Sequence, residues 1–300
     1  MQAGWLLKLA DRTAVLAVGV VAGFAIGLSF HDAGSSSIAG PASLTAAPPA
    51  LAAAQSGTPE LTSAIDRRVV KRVAADGRIR VGVFGDSFGI GIWDALYHQL
   101  PADKGFDVLK FGKEATGFTR YRRLDLEAQA RQQLRNQPID IAVMSFGAND
   151  VQPIFAENHL QLLMSDGWKR IIGERIDRFV ATARSTGATV YWVGLPVMRD
   201  PAMDAQLQQM DAFYADRMRR LGVPFIETRA ASLDPDGKFN THLPDTKTGK
   251  PLLMRANDGL HMTGVGYQRL TTGLAARIRA YAALARQEAG VPAPTASPTR

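Results

Sequence analysis

Five residue types in this chain could together carry out acyl transfer: Ser87, His261, Asp258, Asn149 and Gly117. A serine hydroxyl attacks a carbonyl only when a neighbouring base takes its proton and a third group orients that base. The reaction also needs donors for the oxyanion that forms. Ser87 is the nucleophile candidate, His261 the base and Asp258, three residues ahead of it, the orienter. The backbone N–H of Ser87, the N–H of Gly117 and the side-chain amide of Asn149 are the candidate oxyanion donors. Each has a plainer reading. Ser87 could be a helix N-cap, Asp258 and Asn149 turn residues, and Gly117 loop punctuation. His31, His98, His159 and His242 sit beside no carboxylate at such a junction, so His261 is the preferred base. Asp86 and Asp150 read as structural residues of their turns.

The elements that must position these groups follow from periodicity. Ile79, Val81 and Val83 alternate and Phe84 extends the run, as in a buried strand; Ile90, Trp93, Leu96 and Leu100 then recur at helical spacing. Ser87 therefore stands where a strand turns into a helix, with free N–H groups and the positive helix end beside its hydroxyl. Further strands are expected over 106–111, 139–146, 189–195 and 224–228. Helices are expected over 124–135, 168–186, 201–221 and 262–287. Strands alternating with helices imply a parallel sheet covered on both faces, with ligands bound beyond the carboxyl ends of its strands. Gly117, Asn149, Arg199 and His261 all fall just past strand ends or at the last helix start.

The amino end is of another kind. Residues 13–30 contain no charge, and eighteen helical residues span about 27 Å, near the thickness of a bilayer's hydrocarbon core. Lys8 and Arg12 precede the run and no Lys or Arg follows until Arg67. This bias places the amino end in the cytoplasm and the rest outside a bacterial inner membrane, as a single-pass anchor with a periplasmic domain. A cleaved signal with secretion is the rival, although small-residue cleavage candidates at 50–54 lie about twenty residues beyond the run. The organisation expected is a cytoplasmic end and anchor at 1–30, a linker rich in Ala, Pro, Ser and Gly at 31–61, a folded domain at 62–288 and a disordered tail at 289–300.

Composition narrows the chemistry. The chain has no cysteine, which excludes disulfides, a Cys nucleophile and Cys-ligated zinc or iron–sulfur sites. The net charge of +7 is concentrated at Arg67, Arg68, Lys71, Arg72, Arg78 and Arg80 and at Arg120, Arg122 and Arg123. Such patches could face anionic headgroups or an acidic polymer; a solvated surface is the plainer reading. No nucleic-acid-binding motif accompanies them. The string Gly85-Asp86-Ser87-Phe88-Gly89 matches the G-x-S-x-G elbow of α/β-hydrolases, but that elbow lies deep in the sheet, whereas Ser87 follows the first strand.

Taken together the blocks resemble the SGNH (GDSL) hydrolases. Gly85-Asp86-Ser87 is similar to the first block of that family, Gly117 to the second, Gly147-Ala148-Asn149-Asp150 to the third and Asp258-Gly259-Leu260-His261 to the fifth, in family order. The run Trp192-Val193-Gly194-Leu195-Pro196 and the helix after His261 resemble a membrane-anchored bacterial branch of unknown function. The resemblance implies a three-layer αβα sandwich with a flavodoxin-like parallel sheet. It also implies no metal or other cofactor, and ester hydrolysis or acyl transfer through a serine acyl-enzyme. An envelope location points to O-acetyl esters of a cell-surface glycan, with a membrane acyl-donor partner if the reaction is transfer. Arg120 and Arg199 are the expected contacts to an acidic substrate. A catalytically idle scaffold or glycan-binding module on the same fold is the alternative. A lipase or thioesterase ranks third, because no apolar lid is evident.

Overall fold

A computed structural model describes residues 65–292. The expected anchor at 13–30, the linker at 31–61, the domain's first residues at 62–64 and the tail beyond 292 lie outside the described residues. Among the described residues no helix is long and apolar enough to cross a membrane.

The expected strand–helix alternation forms. Helix α1 spans Arg67–Asp76, β1 Ile79–Gly85, α2 Ser87–Gln99, β2 Phe106–Lys110, α3 Leu126–Asn136 and β3 Ile141–Ser145. After two short strands, β4 Ile154–Ala156 and β5 His159–Gln161, come α4 Asp166–Arg184, β6 Thr189–Val193, α5 Pro201–Arg220 and β7 Phe225–Ile226. The hairpin β8 His242–Pro244 and β9 Pro251–Leu253 precedes α6, Gly264–Ala289. Each α-helix starts on a side-chain cap: Asp66, Asp86, Asp125, Ser165, Asp200 and Thr263 accept from the second or third N–H of their helices. These caps satisfy donors that have no partner within the helix.

Strands β2-β1-β3-β6-β7 lie side by side in one sheet, every pairing parallel. In order of entry this is 2-1-3-4-5, the flavodoxin-like arrangement. Alternation along the strands builds two cores. Ile79, Val81, Val83, Ile141, Val143, Tyr191 and Val193 face α1, α2 and α6. Phe84, Ala142, Met144, Val190 and Trp192 face α3, α4 and the far half of α5. The result is the expected αβα sandwich. Its carboxyl-end rim gathers the loops after β1, β2, β3 and β6.

Three expectations need correction. Residues 67–76 lie in a basic run in which no helix is expected, yet they form α1; Val69 and Val73, four apart, bury its apolar stripe. Four of the six cations of the basic run at 67–80 are paired. Arg72 pairs with Asp140 at 2.8 Å and Arg78 with Asp107 at 2.5 Å, while Arg80 reaches Asp76 and Arg68 reaches Asp66. The expected strand at 224–228 shrinks to two residues at the sheet edge. The third correction concerns exposed apolar surface that no local pattern marks. The hairpin β4–β5 leaves Phe155 63% and Leu160 61% exposed, and Leu162, the residue after it, is 63% exposed. Its two-residue turn, Glu157-Asn158, takes positive φ at both positions, the twist that suits a tight hairpin, without the Asn-Gly pair that would have signalled it.

Candidate active site

The turn after β1 depends on two glycines. Gly85 has φ +153°, and a Cβ there would lie 2.2 Å from the Ser145 carbonyl; a Cβ on Gly89 would lie 2.8 Å from the Phe84 carbonyl. Only hydrogen at both positions lets the strand reverse this tightly into α2. The helix cap is Asp86, not Ser87: its Oδ1 accepts from the Phe88 N–H at 2.9 Å. Ser87 is thereby the first residue of α2, its hydroxyl free of capping work.

His261 meets that hydroxyl. Its Nε2 lies 2.8 Å from Ser87 Oγ, and its Nδ1 lies 2.7 Å from Asp258 Oδ2. Asp258 Oδ1 accepts from the N–H groups of Leu260 at 2.8 Å and His261 at 3.0 Å, closing a turn that aims the carboxylate at the ring. Burial works against ionisation of Asp258. The His261 hydrogen bond and these two N–H groups outweigh it and hold the carboxyl down at about 2. An ionised carboxylate can only accept, so Nδ1 carries the hydrogen and Nε2 is left to accept from the serine. The Phe88 ring stacks on the imidazole, centroids 5.0 Å apart at 28°, and fixes its plane from below. Sequence reasoning missed this role of Phe88; its only signal is its place directly after the nucleophile.

The turn carrying Asp258 is itself clamped. Gly259 has φ +72°, and a Cβ there would collide with Arg199 at 2.7 Å. Arg199 donates its N–H to the Gly259 carbonyl and Nη1 to the Asn257 carbonyl, both at 3.0 Å. Arg199 thus holds the loop of the base and orienter, a role that differs from the substrate contact expected of it.

The donor candidates also converge. Asn149 Nδ2 donates to the Thr116 carbonyl at 3.0 Å, which sets the amide beside Gly117. Among the described residues neither the Ser87 nor the Gly117 N–H donates to a protein acceptor. Asp150, fully buried, ties the two loops together by accepting from Thr119 N–H and Oγ1 at 2.8 Å and from the Tyr214 hydroxyl at 2.9 Å. Burial raises the Asp150 carboxyl, and these donors oppose it. Asp150 is structural, as expected. Its partners Thr119 and Tyr214 were not foreseen, because nothing in their local pattern marks a contact 31 or 64 residues away. Arg120 donates Nη1 to the Ala115 carbonyl at the same loop. Among the described residues neither Arg120 nor Arg199 has an acidic partner.

Nucleophile, base and orienter thus stand in hydrogen-bond sequence at the carboxyl rim of a 2-1-3-4-5 sheet, with their blocks in SGNH order. The chain belongs to the family described as "Protein of unknown function (DUF459)", whose model matches residues 80–277. No curated protein matches the chain. Solved structures similar to it include an aryl esterase of M. smegmatis, at 17% identity over 67% of this chain and 99% of that one, TM-score 0.46. The carbohydrate acetylesterase Est24 of Sinorhizobium meliloti is similar at 16% identity over 68% and 100%, TM-score 0.45. A carbohydrate esterase of family 3 from Talaromyces cellulolyticus is similar at 14% identity over 68% and 98%, TM-score 0.45.

Proposed function

We propose that this protein is a serine esterase or O-acyltransferase that works through an acyl-enzyme on Ser87. The supporting observation is the chain of contacts from Asp258 through His261 to Ser87 Oγ at a helix N-terminus. Ser87 Oγ attacks the ester carbonyl carbon as its proton passes to His261 Nε2. The resulting oxyanion is held by the N–H groups of Ser87 and Gly117 and by the Asn149 amide. As the C–O bond breaks, His261 returns the proton to the departing alcohol. Water or a sugar hydroxyl then gives its proton to His261 Nε2 and attacks the acyl carbon; as the bond from that carbon to Ser87 Oγ breaks, His261 returns the proton to Oγ and frees Ser87. Water yields hydrolysis; a sugar hydroxyl yields transfer, with a membrane partner as acyl donor.

The substrate proposed is an O-acetyl ester of a cell-envelope glycan, and the unpaired Arg120 and Arg199 suit an acidic sugar. The placement proposed is periplasmic, behind an anchor at 13–30. A longer acyl chain is the second reading, favoured by the exposed Phe155 and Leu160 on the hairpin that follows Asn149-Asp150 and by Leu162 just after it. The test is labelling of the full chain with a fluorophosphonate probe beside turnover of p-nitrophenyl acetate. Wild type is expected to label and turn over, and Ser87→Ala to do neither. A folded wild type that takes no label returns the protein to an idle scaffold or binding module. Product analysis with an acetylated glycan then separates hydrolysis from transfer.

A further inference from the structure

The Asn149 amide is already engaged. Its Nδ2 carries two hydrogens; one goes to the Thr116 carbonyl at 3.0 Å and the other toward Asp86 Oδ2 at 3.3 Å. In this state no N–H of the amide is left for an oxyanion. The Thr116 contact is the shorter and orients the amide, so the stretched contact to Asp86 is the one to be surrendered. Asp86 is fully buried, and its Oδ1 is committed to the helix cap. Among the described residues Asn149 is the only donor on Oδ2.

We propose that Asp86 is a positioning residue whose carboxyl decides whether the Asn149 amide is available to the oxyanion. The proposal rests on the acyl-transfer reading above. A carboxylate holds the amide hydrogen and places negative charge beside the forming oxyanion; a neutral carboxyl carries no charge and accepts that hydrogen more weakly. Every element packed on Asp86 matters to that balance. Asn149 and Asp150 face it from the loop after β3, Arg120 from the loop after β2, Tyr214 from α5, Tyr267 from α6 and the Phe88 N–H from α2. Burial is the largest influence and pushes the carboxyl up to about 7. Asp150 adds to the rise, while the Phe88 N–H, Asn149 and Arg120 oppose it. Both forms are therefore populated within an ordinary assay range.

Asp86→Asn tests this, because asparagine caps a helix as well as aspartate and stays neutral at every pH. The kcat of the variant divided by that of wild type should rise about 30-fold between pH 6 and 8.5, the change expected when one group titrating near 7 is removed. KM should not move, since the contact forms only in the transition state. Taking the ratio cancels every pH dependence that the two proteins share. Asp86→Ser, also a capping residue, should behave alike. On wild type, carbon NMR of labelled aspartate should show the Asp86 titration shifting upward when Ser87 is phosphonylated, which needs no variant to fold. A flat ratio in folded variants whose Ser87 still labels, or a titration indifferent to phosphonylation, overturns the proposal. A wild type that takes no label at all overturns the acyl-transfer reading instead.

Discussion

Gly117→Ala isolates the second block of the site. Gly117 has φ 171°, ordinary extended backbone, so the cost of alanine is a matter of space and not of conformation. The new Cβ would lie 2.4 Å from Asp150 Oδ1, 3.0 Å from Cγ and 3.2 Å from Oδ2, where ordinary contact begins at 3.4 Å. About 1 Å of separation must be found. Asp150 cannot readily supply it, being fully buried and bonded to Thr119 and Tyr214. Overpacking of this kind costs about 1–3 kcal/mol of stability. Whatever part of the shift the loop takes moves the Gly117 N–H off the oxyanion, and a misplacement near 1 Å costs about 100-fold in rate. Loss of the donor altogether costs about 100- to 1000-fold. The assay is kcat for p-nitrophenyl acetate together with thermal unfolding. The expected result is a fall of about 100-fold or more in kcat in a protein that still folds and labels slowly at Ser87. Gly112→Ala is the control: its Cβ would meet the Gly85 carbonyl at 3.1 Å and Ile90 at 3.4 Å, a milder crowding. Should Gly117→Ala keep wild-type kcat, or should Gly112→Ala be the variant that loses it, Gly117 is not the donor.

Two other outcomes are expected. Phe155→Ser combined with Leu160→Ser should lower kcat/KM for p-nitrophenyl octanoate about 10-fold or more, given about 1.5–3 kcal/mol for each large apolar side chain that covers an acyl chain, and leave acetate nearly unchanged. An unchanged preference between the two esters would remove the hairpin from substrate binding. Asp211 is buried and pushed up to about 7 by that burial, with Glu227 and Asp204 adding to the rise and the Leu195 N–H and Arg229 opposing it. A folded value above the unfolded one means that the neutral form favours the native state. Its contribution is complete below about pH 4 and is lost as pH climbs through about 7. The Tm of Asp211→Asn relative to wild type should therefore rise between pH 5 and 8; a constant difference would show that Asp211 does not titrate in that window.

Much of this molecule was legible in the chain because its signals are local. Alternation at Ile79, Val81 and Val83 marks a strand, helical spacing from Ile90 to Leu100 marks a helix, and a parallel sheet puts all such junctions on one rim. Ser87, Asn149, Asp258 and His261 could be chosen on that basis, and Gly117 with them. What periodicity cannot carry is a contact between distant segments. The 2.8 Å approach of His261 to Ser87 joins residues 174 apart and exists only because α6 packs on α2. The same holds for the Asp150 clamp on Thr119 and Tyr214, the Asp86–Asn149 contact and the ion pairs of Arg72 with Asp140 and Arg78 with Asp107. Side-chain type and spacing determine which groups a strand end can offer. Which of them meet, and in what protonation state, is set by the low-dielectric packing that closes around them.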